Sequence, residues 1–102
     1  MKTLFEYLTE AKNKYTLFPK KKWELYKMIK QEIEKGGPNC SLNHIDITEI
    51  TDLSGLFEYD NYDNKIVGSF NGDISQWDVS NVTDMNGMFT GCPIKKEYKP
   101  KI

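Results

Sequence analysis

Fifteen aspartates and glutamates, one histidine and two cysteines are the side chains of this chain best suited to acid–base, ligating or nucleophilic chemistry near neutral pH. Paired carboxylates do acid–base work when their surroundings hold the two in different protonation states. The pairs here are Asp46 with Asp78 and Asp52 with Asp84, each pair 32 residues apart. Groups used once per repeat are scaffold: caps, turn anchors or a solvated ladder. His44 is the only histidine, and its counterpart 32 residues on is Gln76, so it reads as an exposed polar position. No spacing couples it to Cys40 or Cys92 as a nucleophile and its base. Two cysteines make neither a disulfide framework nor a metal cluster. A single bridge between them is one alternative, and reduced thiols of a cytosolic protein are the other. Cys92 also suits the interior as a small apolar residue.

The segment Glu58-Tyr59-Asp60-Asn61-Tyr62-Asp63-Asn64-Lys65 clusters oxygen donors, but it lacks the order of a calcium loop and its terminal glutamate. No glycine pattern for a phosphate is present. The sequence therefore assigns no catalytic, cofactor-binding or metal-binding residue, and the chain is not expected to be an enzyme. The same segment does place tyrosines among acids, as interface cores favour. Glu58, Tyr59, Asp60, Tyr62 and Asp63, with Asp73 and Asp78 beyond them, are the expected partner-binding residues.

Two helices are expected upstream. Thr3 and Glu6 have capping-box spacing, and Leu4, Leu8, Ala11 and Tyr15 recur at helical intervals, which predicts a helix over 4–14. Phe18-Pro19 interrupts it. A second helix over 20–35 carries Leu25, Ile29 and Ile33, with Trp23, Tyr26 and Met28 beside them. Gly36-Gly37-Pro38 stops it. The lysines 20–22 sit at the unfavourable end of its dipole, as a solvated face or as a contact to an acidic partner.

From Pro38 onward helical periodicity gives way to a repeat. Residues 45–57 align with 77–89, with five identities at Asp46/Asp78, Thr51/Thr83, Asp52/Asp84, Gly55/Gly87 and Phe57/Phe89. Every other apolar position stays apolar. Such a unit is too short to bury its own apolar side chains, so a neighbour must cover them. Ile45/Ile47 and Trp77/Val79 alternate as short strands do. Leu53 and Phe57, and Met85, Met88 and Phe89, fall where one helical turn would follow an Asp cap. These nine residues are the expected structural frame.

The tract Phe70–Cys92, with Asp73-Ile74-Ser75, Trp77-Asp78-Val79-Ser80-Asn81-Val82-Thr83-Asp84-Met85 and Met88-Phe89, resembles the BspA-like leucine-rich repeat. It departs mainly at Asn86, where serine is usual. The first copy is more divergent and is followed by an insertion, 58–69. The resemblance implies a binding scaffold, used for adhesion in large surface relatives and present in short phage and mobile-element forms. The expected fold is α+β: N-terminal helices capping a short leucine-rich-repeat-like stack with two short parallel strands and helical turns. Residues 1–37 form the helical cap, 38–92 the two repeats, and 93–102 an extended tail whose Ile94 closes the stack.

Charge is divided between these parts. Residues 1–36 hold nine lysines against five acids, and 37–102 hold five lysines against ten acids. No arginine is present, which disfavours sequence-specific reading of nucleic acid. No apolar run long enough to span a membrane occurs, and the first residues lack a signal-like apolar stretch. The expectation is a cytoplasmic protein–protein interaction module whose partner has a basic surface. In specific form it is a small phage or mobile-element protein that inhibits a host factor such as a defence nuclease, in the manner of an anti-CRISPR. The alternative is a structural, virion or cell-surface component that uses its repeats for assembly or adhesion, with a homodimer open to it.

Overall fold

A computed structural model describes residues 15–101. The expected helix over 4–14 lies outside the described residues. Helix α1, Lys22–Gly36, is the main regular element. Its buried stripe is Leu25, Ile29 and Ile33, one residue per turn. Glu24 sits in the first turn and its carboxylate accepts the Lys20 N–H at 3.3 Å, which offsets the lysines at the positive end of the dipole. Gly37, at φ 85°, turns its N–H back onto the Ile33 carbonyl at 2.7 Å and ends the helix.

The α+β expectation is overturned beyond this point. Among the described residues there is one main helix and no sheet. The two parallel strands are replaced by isolated bridges, Leu17 with Ile45 and Asp52 with Asp84. Ile45 does not pair with Trp77: Asp46 donates instead to the Leu17 carbonyl at 2.8 Å. The segments 54–57 and 86–91 are hydrogen-bonded turns, not helix. The reason is local. The Asp46, Asp52, Asp78 and Asp84 carboxylates each accept the N–H two residues ahead, at 2.8–3.0 Å, and so bend the chain before a strand can lengthen. Gly55 and Gly87 then turn it again with φ of 63° and 65°.

The two copies nevertheless lie side by side at the spacing of the repeat. The N–H groups of Leu53, Gly55, Phe57 and Tyr59 donate to the carbonyls of Asp84, Asn86, Met88 and Thr90 at 2.8–3.0 Å. Thr83 N–H returns to the Thr51 carbonyl at 2.7 Å. Phe57 centres the core between them. Its ring stacks on Phe70 at 5.1 Å and on Phe89 at 5.7 Å, with Trp77 tilted at 6.0 Å. Gly72 lies so close to the first copy that a Cβ there would stand 1.8 Å from the Cys40 carbonyl oxygen.

Ile45, Ile47, Leu53, Phe57, Trp77 and Met88 are buried as the frame requires. Val79, Met85 and Phe89 are only half-buried. The insertion is not plain loop: it contains a helical turn, α2, Lys65–Gly68. The tail is not simply extended either, since Lys96–Tyr98 form a 3-10 turn. Ile94 is buried at its start.

Candidate functional site

The insertion is fastened to α1 and to the second copy. Asp60 and Asn64 bridge to each other through their backbones. The Asp60 carboxylate accepts the N–H groups of Tyr62 and Asp63 at 2.8 and 3.0 Å. Those two bonds hold its pKa below the usual carboxylate range. Asn64 donates to the Glu58 carbonyl at 2.7 Å and accepts the Tyr26 hydroxyl at 2.6 Å, which joins the loop to the helix. Tyr59 N–H reaches the Thr90 carbonyl.

This frame leaves large apolar side chains in water. Tyr62 is 93% exposed, Trp23 64% and Ile66 42%. They border a run of three open clefts along α1. The first, about 430 Å³, is lined by Lys22, Trp23 and Tyr26 of the helix and Ser54, Gly55 and Leu56 of the first copy. A second, about 180 Å³, shares Tyr26 and adds Lys30, Tyr62 and Asp63. A third, about 290 Å³, shares Lys65 and Ile66 with the second and ends at Ile33 and Pro38. From Trp23 to Ile33 the helix rises roughly 15 Å, enough to receive several anchoring side chains. Lys22 at the cleft's head is held by Ser54 at 3.1 Å and Asp52 at 3.7 Å.

Of the expected partner-binding residues, Glu58, Tyr59, Asp60, Tyr62 and Asp63 come together on the insertion, and all are exposed. Asp73 and Asp78 belong to the turns of the second copy, and none of the described contacts joins them to the insertion. Asp73 caps Ser75 and its carbonyl accepts Leu42 N–H at 3.0 Å, while Asp78 caps Ser80. Hydrogen bonds from those serines hold the pKa of both carboxyls below the usual carboxylate range.

Trp23 and Ile66 were not among the expected site residues, and Lys22, one of the three lysines open to an acidic partner, meets Asp52 of its own chain. Trp23 carried a usable signal: two residues before Leu25, it points about 200° away around the helix, off the buried stripe. His44 is half-buried rather than freely exposed, with its Nε2 against Glu32 Oε1. Cys40 and Cys92 are free thiols, and burial raises the pKa of each. Among the described residues no group of three or more His, Cys, Asp or Glu is placed to hold a metal ion. No helix among them is long and apolar enough to cross a membrane.

No curated protein and no solved structure matches this chain. A family model does match, over residues 1–96. The chain belongs to the family described as Mycoplasma protein of unknown function, DUF285.

Proposed function

We propose that this chain is a non-enzymatic protein-binding module that seats a partner's apolar side chains in the clefts along α1, where the helix faces the first copy and the insertion. The observation that carries the reading is the exposure of Trp23, Tyr62 and Ile66 beside three neighbouring clefts along α1, each sharing lining residues with the next. Grouped apolar side chains left in water mark interaction sites, and Trp and Tyr supply most of the binding energy where they are anchors. The exposed acids Glu58, Asp60 and Asp63 of the insertion, of which Asp63 lines the second cleft, support a partner with a basic surface. In narrower form that partner is a host factor such as a defence nuclease, whose basic channel an acidic surface would fill. The tract 70–92 supports kinship with BspA-like repeat proteins at the level of sequence. The two free thiols support a cytosolic setting.

The test is affinity capture from host lysate, treated with nuclease, using the wild-type chain and the double variant Trp23→Ala, Tyr62→Ala. The reading expects one protein enriched by the wild type and lost with the variant, with binding that weakens as salt rises. Equal recovery by both baits would refute the cleft, and binding indifferent to salt would refute the basic partner.

A further inference from the structure

The second copy ends in an open hydrogen-bonding edge. In the first copy, the N–H groups of Leu53, Gly55, Phe57 and Tyr59 all point to the second copy and are taken by its carbonyls. Their counterparts one repeat on are Met85, Gly87, Phe89 and Gly91. Among the described residues these four N–H groups have no acceptor, and the Thr83 carbonyl, counterpart of the paired Thr51 carbonyl, has no donor. The apolar side chains tell the same story. Ile47, Ile50, Leu53 and Phe57 are at most 1% exposed because the second copy covers them. Their counterparts Val79, Val82, Met85 and Phe89 are only half-buried.

The tail covers part of this end and no more. Ile74 donates to the Tyr98 carbonyl at 3.0 Å, as Leu42 donates to Asp73 in the first copy, so the tail stands in for a neighbour there. Lys99 lies over the Phe89 ring at 4.9 Å. Asn86, Gly87, Thr90 and Gly91 remain exposed.

We propose that this edge binds an extended segment of a partner protein, laid parallel to residues 83–91. The ladder between the copies fixes what the segment must offer: an N–H for the Thr83 carbonyl, then carbonyls at alternate residues for Met85, Gly87, Phe89 and Gly91. Strand addition of this kind draws affinity from the main chain and specificity from alternate side chains. Aliphatic side chains would cover Val82, Met85 and Phe89. Near its start the segment carries a lysine or arginine, because among the described residues Asp84 has no ion pair and faces across the bridge Asp52, whose own partner Lys22 comes from α1. A second copy of this chain is the wrong occupant. A two-fold pair would set this row of donors against an identical row of donors. Head-to-tail stacking would meet Leu17 and α1, which flank the first copy on its other side. The inference goes beyond the cleft and does not rest on it.

The probe is a synthetic peptide copying residues 80–91 and carrying Asp84→Lys, titrated into the 15N-labelled full chain. Binding should slow solvent exchange of the Met85, Gly87, Phe89 and Gly91 amides about tenfold or more. The amides of Leu53, Gly55, Phe57 and Tyr59, already paired, should keep their rates. Met85→Glu should weaken the peptide about tenfold while Trp23→Ala leaves it unchanged. Four amides that still exchange freely at millimolar peptide overturn the proposal, as do changes confined to the cleft. Protection of the same amides in the free chain that grows with protein concentration overturns it too, in favour of self-association.

Discussion

Asp46, Asp52, Asp73, Asp78 and Asp84 each give one carboxylate oxygen to the backbone two residues ahead. The recurrence of Asp46/Asp78 and Asp52/Asp84 marked those four as scaffold, and the turns they cap are that scaffold; Asp73, whose counterpart is Ser41, caps a turn of the same kind without that signal. Serine hydrogen bonds depress the pKa of Asp52, Asp73 and Asp78, and backbone N–H groups depress that of Asp60. A carboxyl whose folded pKa lies below its unfolded value stabilises the fold above the unfolded pKa, about 4, and loses that contribution as pH falls through the folded pKa. The urea midpoint should therefore be level between pH 7 and about 5 and fall towards pH 3. A midpoint that rises on acidification would contradict the assignment. Burial separates the two repeat phenylalanines in a similar way. Phe57→Ala should cost about 3–5 kcal/mol, and Phe89→Ala clearly less, because Phe89 is only half-buried; equal losses in thermal melts would contradict the packing. Gly72→Ala should cost about 3 kcal/mol or more, since its Cβ would strike the Cys40 carbonyl.

At the scale of elements, legibility followed the length of the periodic signal. Helix α1 was readable because Leu25, Ile29 and Ile33 repeat over three turns and Gly37 closes them. The strands were misread because Ile45/Ile47 and Trp77/Val79 alternate for only three residues before an Asp turn bends the chain. Helical turns after Thr51-Asp52 and Thr83-Asp84 were misread for a related reason. There Asp52 and Asp84 cap a turn at Ser54 and Asn86, and glycine at positive φ follows. The insertion was legible as exposed, tyrosine-bearing surface, but not its anchorage, because Tyr26 and Asn64 are 38 residues apart. Tyr26→Phe removes that bond and should cost about 0.5–1.5 kcal/mol. Faster amide exchange should be confined to 58–66, with α1 unchanged; an unchanged insertion would show that the bond does not hold it.

For the whole molecule, charge is divided along the chain among the described residues as well. The helical part supplies Lys20, Lys21, Lys22, Lys27, Lys30 and Lys35 and the exposed Trp23, and the repeats supply most of the acids and most of the buried frame. The lining of the clefts could not be read in advance, because Lys22 meets Leu56 in the first, and Tyr26 meets Ile66 in the second, only through the fold. Both proposed surfaces follow from one cause: two short copies and one helix leave more apolar area than they can cover. The most direct test of the binding reading is calorimetric titration of the captured partner into wild type and into Trp23→Ala, Tyr62→Ala, with thermal melts showing both folded. Anchors of this kind are worth about 2 kcal/mol or more each, so the double variant should bind about a hundredfold more weakly or worse. Equal affinities for the two folded chains would contradict the account.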